Sequence, residues 1–160
     1  VPLNTEIILV TRIGHAGEKP WGRVKADVYM PCATQNEIGL EDAKRMIEEG
    51  TSKLLIEVAN MPTKAEAVEE LQKAGFMIAP SKAVNAGGVA VSALEMSQNA
   101  MKLSWTEEEV DEKLKKIMKN IFNNIDSAAK KYGMDGNLIA GANIAGFLKV
   151  AEAMLDEGIF

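Results

Sequence analysis

One pattern constrains this chain more than any other. From about Ala26 to Trp105, a short apolar run leads to a polar tip and then to a helical stretch, three times over. Repeated strand–loop–helix units imply a parallel sheet with helices packed on it. The first unit runs from Ala26–Met30 through "PCATQNE" into a predicted helix from about Leu40 to Glu49, closed by Gly50. In the second, Lys53–Val58 leads through "ANMPT" to a helix ending near Ala74, with Thr63 as the expected N-cap. Phe76–Ala79 opens the third, which passes through Pro80 and Asn85 into Gly87 and Gly88.

After Trp105 no further strand is predicted. Thr106 and Glu109 have the spacing of a capping box. Val110, Leu114, Ile117, Met118, Ile121, Phe122 and Ile125 then recur at helical spacing and are read as a core stripe, with Met96, Met101 and Met154 as further core filler. A turn at Gly133–Asn137 precedes a last helix from Leu138 to about Gly158, whose Gly141–Gly146 stretch offers a face of small residues. The segment Val1–His15 contains "EIILV", an expected edge strand.

Composition narrows the class. At 160 residues and 47% hydrophobic content the chain can bury one sizeable core. A net charge of -5, from 23 acids and 18 bases without a basic cluster, argues against nucleic acid as a partner. A single cysteine, Cys32, forbids an internal disulfide, and burial is the expected state of that thiol. No run reads as a secretory segment or a membrane span, so a reducing cytoplasm and no membrane partner are expected. With His15 the only histidine, neither a histidine-based metal cluster nor a Ser-His-Asp triad is expected.

The chemistry is sought where parallel sheets hold ligands, beyond the carboxyl ends of the strands. All three tips carry an asparagine: Asn36, Asn60 and Asn85. A carboxamide offers a donor and an acceptor without charge, which suits a nicotinamide carboxamide or ribose hydroxyls; asparagine is equally a turn and capping residue. Gly87 and Gly88 are read as an open helix start that lets a flat ligand or a carboxylate approach. Val89, Ser92 and Met96 share a face of that helix, with Val89 placed to pack an aliphatic chain and Ser92 to donate to a carboxylate. A solvated or back-bonded serine is the ordinary alternative for Ser92.

The series "GEKPWG", "PCATQNE", "EVANMPT", "APSKAVNAGG", "SALEMSQN", "LSWTEEEVD" and "AGANIAGF", in that order, resembles the C-terminal part of bacterial-type glutamate dehydrogenases over about Ala16–Phe160. The resemblance implies an α/β fold: the distal half of a Rossmann-like coenzyme domain, over residues 1–104 with 1–15 unmatched, followed by long C-terminal helices over 105–160. It implies NAD(P)-linked oxidative deamination of L-glutamate to 2-oxoglutarate and ammonium, in a protein that is a homo-oligomer at full length. Val58 and Ser81 resemble the NAD-using branch, with NADP left open. Also implied are coenzyme contacts at Ala33, Thr34, Gln35, Asn60 and Asn85, and substrate contacts at Val89 and Ser92.

No counterpart of the family's catalytic lysine and aspartate, nor of the glycine-rich pyrophosphate turn, is found, so the chain is expected to be a fragment without activity alone. Two alternatives stand beside this. One is a non-catalytic module that associates with full-length subunits through its small-residue face; the other is a related dehydrogenase acting on branched or aromatic amino acids.

Overall fold

The computed structural model describes residues 18–158. The expected "EIILV" strand and His15 lie outside them. Helix α1 spans Leu40–Glu49 and α2 Ala65–Lys73; strands β1 (Leu54–Ile56) and β2 (Met77–Ala79) pair in parallel, Leu55 opposite Ile78. α1 obeys its sequence signals. Asp42 accepts from the Gly39 N–H at 2.9 Å to close the first turn, and Gly50 ends the helix at φ 73°, a left-handed conformation that glycine adopts without penalty.

The first predicted strand shrinks to a single parallel bridge, Tyr29 opposite Leu55. Tyr29 donates to Leu54 O at 3.0 Å and accepts from Ile56 N–H at 2.9 Å, so β1 lies between this segment and β2. Pro31, two residues on, has no N–H to extend the ladder. Thr63 is a second correction. It does not cap α2, whose N-cap is Lys64; Thr63 instead pairs with Ile38 across the loops, and its buried hydroxyl has no hydrogen-bond partner among the described residues.

Between sheet and helices lies a continuous apolar core of Tyr29, Ile38, Met46, Leu55, Leu71, Phe76 and Ile78 with Trp21 and Ala43. The alternation within the strands puts Leu55 and Ile78 on this side, and α1 contributes Ala43 and Met46 at i, i+3. Buried Asp42 ties the incoming chain to α1, accepting from Lys19 Nζ at 2.9 Å and from the Arg45 guanidinium. A buried carboxylate needs such partners.

After β2 the chain turns helical at once. The short α3 (Ser81–Val84) follows Pro80, and only Asn85, at φ −84° and ψ 2°, separates it from α4 (Ala86–Met101). α5 (Glu107–Lys131) starts on the predicted capping box, Thr106 Oγ1 accepting from Glu109 N–H while the Glu109 carboxylate accepts from Thr106 N–H at 2.8 Å. α6 (Leu138–Glu157) is capped by the Asn137 side chain, which accepts from Ala140 N–H at 3.0 Å and from Gln72 Nε2 at 3.3 Å. α5 and α6 pack closely because Gly141 has no side chain: a Cβ there would sit 2.1 Å from the Ile125 carbonyl oxygen.

The expected core stripe of α5 is only partly realised. Ile125 is buried with Ala83, Leu138 and Ala142, whereas Val110, Leu114, Ile117, Met118 and Ile121 are half-buried and Phe122 is exposed. Met96, Met101 and Met154 are exposed rather than filling a core, and α4 buries no residue at all. Cys32 is likewise exposed, its thiol donating to Met30 O, contrary to the expected burial. α6 also departs from the reading that no stretch could span a membrane, having the length and a mean hydropathy of 1.5 that would allow it. Its apolar content serves helix–helix contact on one side, through Leu138, Gly141 and Ala142.

Candidate functional site

Beyond the carboxyl ends of β1 and β2 opens a cleft of about 470 Å³, lined by Val58, Ala59, Asn60, Lys82, Asn85, Ala86 and Val89. Each strand supplies one wall. β1 runs into Val58–Asn60, and β2 into α3 and the first turn of α4. Lys82, Asn85, Ala86 and Val89 follow one another at i, i+3, i+4 and i+7, so a single helical face forms the second wall.

Two of the three tip asparagines meet. Asn85 Nδ2 donates to Asn60 Oδ1, although the residues stand on different loops. The pair leaves Asn85 Oδ1 as an acceptor and the Asn60 amide hydrogens as donors, and among the described residues neither side chain makes another hydrogen bond. A ligand carboxamide needs one of each, so these residues fit the nicotinamide end of a coenzyme. Asn36 does not join them. It adopts the left-handed region at φ 57° on the neighbouring tip, and its N–H donates to Met61 O at 3.0 Å.

Ala33, Thr34 and Gln35 are exposed on that same neighbouring tip and do not line the cleft; Thr34 N–H reaches Glu37 Oε2 at 3.4 Å. Val89 lines the cleft at 71% exposure. Ser92 lies one turn further along α4, exposed and beyond the cleft lining. Among the described residues, no group of three histidine, cysteine or acidic side chains is placed to hold a metal ion.

Lys82 and Ala86 were missed from the sequence, and Ser81 was singled out only for its likeness to the NAD-using branch, for one reason. Starting the helix at the glycines hides the stripe that begins at Lys82, whereas Pro80 as a helix-entry residue would have exposed it. The Lys82 ammonium donates to Asn143 Oδ1 on α6, and so joins the cleft to the last helix. Gly87 and Gly88 fall in the first turn of α4, as expected from sequence, but the short α3 precedes that helix. A Cβ on Gly87 would only touch Met118 and Leu114 at van der Waals distance, and one on Gly88 would meet nothing within 4 Å. Packing within the described residues therefore requires neither glycine.

The order of these elements matches known proteins. A family model of the glutamate/leucine/phenylalanine/valine dehydrogenases covers residues 10–158. The NAD-specific glutamate dehydrogenase of Clostridium symbiosum is 56% identical over 144 residues, which is 89% of this chain and 32% of that protein. The NADP-specific enzyme of Giardia intestinalis is 53% identical over 146 residues, 90% of this chain and 32% of its own length. A glutamate dehydrogenase structure from Plasmodium falciparum superposes with a TM-score of 0.83 at 50% identity, covering 89% of this chain and 30% of that one. The chain thus spans about a third of the length of the curated relatives it matches. With a Rossmann-type α/β arrangement, long C-terminal helices and a family match along nearly its whole length, the chain belongs to the glutamate/leucine/phenylalanine/valine dehydrogenase family.

Proposed function

We propose that this chain is the distal coenzyme-side part of a glutamate dehydrogenase, and that the whole protein oxidatively deaminates L-glutamate to 2-oxoglutarate and ammonium. The observation that carries the reading is the Asn60–Asn85 amide pair at the mouth of the cleft, in a chain of this family. Asn60 donates to the carboxamide oxygen of the bound nicotinamide and Asn85 accepts from its amide nitrogen, which fixes the ring face presented to the substrate. The coenzyme, when bound, supplies the hydride acceptor. Val89 packs the substrate's methylenes and Ser92, one turn on, donates to its distal carboxylate. Ala33, Thr34 and Gln35, on the adjoining tip, line the continuation of the coenzyme path.

NAD is the finer assignment, on the strength of Val58 and Ser81. Relatives of both coenzyme specificities support a nicotinamide dinucleotide in general. Uncovered apolar residues on α4 and α6, such as Met96, Val150 and Leu155, fit a face closed by the rest of the polypeptide and by other subunits of a homo-oligomer.

Activity requires that remainder. A chimera in which residues 18–158 replace the matching third of the Clostridium symbiosum enzyme should oxidise glutamate, with kcat/KM higher for NAD than for NADP and negligible for leucine. Failure of that chimera to turn over glutamate while folding normally would refute the reading, and robust turnover by the 160-residue chain alone would refute the assignment of the catalytic groups to the missing part.

A further inference from the structure

A donor and an acceptor recognise one ligand only when held at a set separation, and here they stand on separate loops. Ser81 grips both. Its N–H donates to Glu57 Oε2 at 3.1 Å, its Oγ accepts from Met61 N–H at 3.4 Å, and its carbonyl accepts from Asn85 N–H at 2.9 Å. Glu57 is buried at the end of β1, so the first bond anchors α3 to the sheet. The second holds the residue after Asn60, and the third holds Asn85 itself.

Met61 adds an independent sign that this loop is constrained. It lies at φ 46°, a left-handed backbone that long side chains rarely adopt and that persists only where surrounding bonds impose it. Those bonds are Ser81 Oγ on its N–H and Asn36 N–H on its carbonyl. Ser81 does not line the cleft. We infer that Ser81 is a positioning residue, whose hydroxyl sets the Asn60 carboxamide against that of Asn85 and so determines affinity for the carboxamide end of a nicotinamide coenzyme. The inference rests on the function proposed above.

The hydroxyl can be removed without disturbing the anchor, because Ser81→Ala keeps the N–H to Glu57 and the carbonyl to Asn85. Alanine is also the better helix former. In the chimera, Ser81→Ala should raise KM for NAD and Kd for NADH about fivefold, as expected for one neutral hydrogen bond, and change kcat by less than about twofold. The thermal midpoint should stay at the parent value. Ser81→Thr, which keeps a hydroxyl, should restore both constants.

Equal constants for parent, alanine and threonine variants would overturn the inference. So would a parallel fall in affinity and thermal midpoint that threonine does not rescue, since that marks a structural role alone. The Kd for NADH, followed by nucleotide fluorescence, separates the two readings. A chimera that binds NADH but does not oxidise glutamate removes the proposed reaction and leaves the Ser81 comparison readable; an active chimera indifferent to Ser81 removes this inference alone. A chimera that neither binds nor turns over removes both.

Discussion

Leu55 in β1 and Val89 on the cleft wall are both aliphatic, yet Leu55 is fully buried and Val89 is 71% exposed. The difference runs through the molecule. Around β1 and β2, one apolar cluster is closed by α1 and α2, and its members have almost no contact with solvent. Along α4, α5 and α6, the buried set shrinks to Ala83, Ile125, Leu138 and Ala142 with a few neighbours, and large apolar side chains face outward. The first region has its own driving force for folding. The second has an apolar surface whose burial would stabilise an assembly, roughly 25 cal/mol for each Å² covered.

The largest effect that could break this contrast lies in the sheet region. Leu55→Ala should cost about 2–5 kcal/mol, while Val89→Ala should change the chain's stability by less than about 0.5 kcal/mol, as read by urea unfolding. Comparable costs at the two positions would erase the distinction. Next comes a contrast inside one helix. Gly141→Ala drives a Cβ into the Ile125 backbone and should cost about 1–3 kcal/mol, whereas Gly146→Ala, with nothing within 4 Å, should stabilise by about 0.5–1 kcal/mol. If both glycines tolerate alanine, α5 and α6 do not touch as described.

A smaller effect sharpens the functional side. Gly88→Ala should stabilise the isolated chain by about 0.5–1 kcal/mol, because nothing opposes the new methyl. In the chimera the same change should lower glutamate or coenzyme affinity, and unchanged kinetics would show that the glycine serves no approaching ligand. The last effect concerns pH. Burial, then the charge of Glu49 and a 3.2 Å hydrogen bond to it, push the Tyr29 phenol up to about 12. The unfolded chain releases this proton near pH 10, so stability is intact below that value and falls as pH rises towards 12. Tyr29→Phe should flatten that fall in the unfolding midpoint, and an unchanged slope would assign it to other groups.

How far the sequence could be read follows the same division. α1, β1, β2, the Thr106 capping box and the turn before α6 were legible because local signals agree with tertiary burial there. Thr63 misled because a hydroxyl before a helix has the chemistry of a cap, but the bridge to Ile38, made by Ile38 N–H on Pro62 O and Lys64 N–H on Ile38 O, keeps the chain extended through Thr63, and Lys64 is the N-cap. The methionines misled because helical periodicity marks an apolar face without saying whether this chain or another covers it. At the cleft, the asparagines were found by chemistry and their pairing was not, since it depends on how two loops converge. Lys82, and the place of Ser81 at the start of α3, stayed hidden behind a helix start placed one turn and a half too late.

Lys82 reaches across to Asn143, so the rim of the cleft is braced by a residue sixty-one positions along the sequence. A polypeptide stopped at the turn before α6 would keep both strands and both carboxamides yet lose that strut. The last helix is therefore architecture for the mouth of the cleft, and any displacement of it is transmitted to α3 through that ammonium and through the buried cluster that Ala83 shares with Leu138 and Ala142.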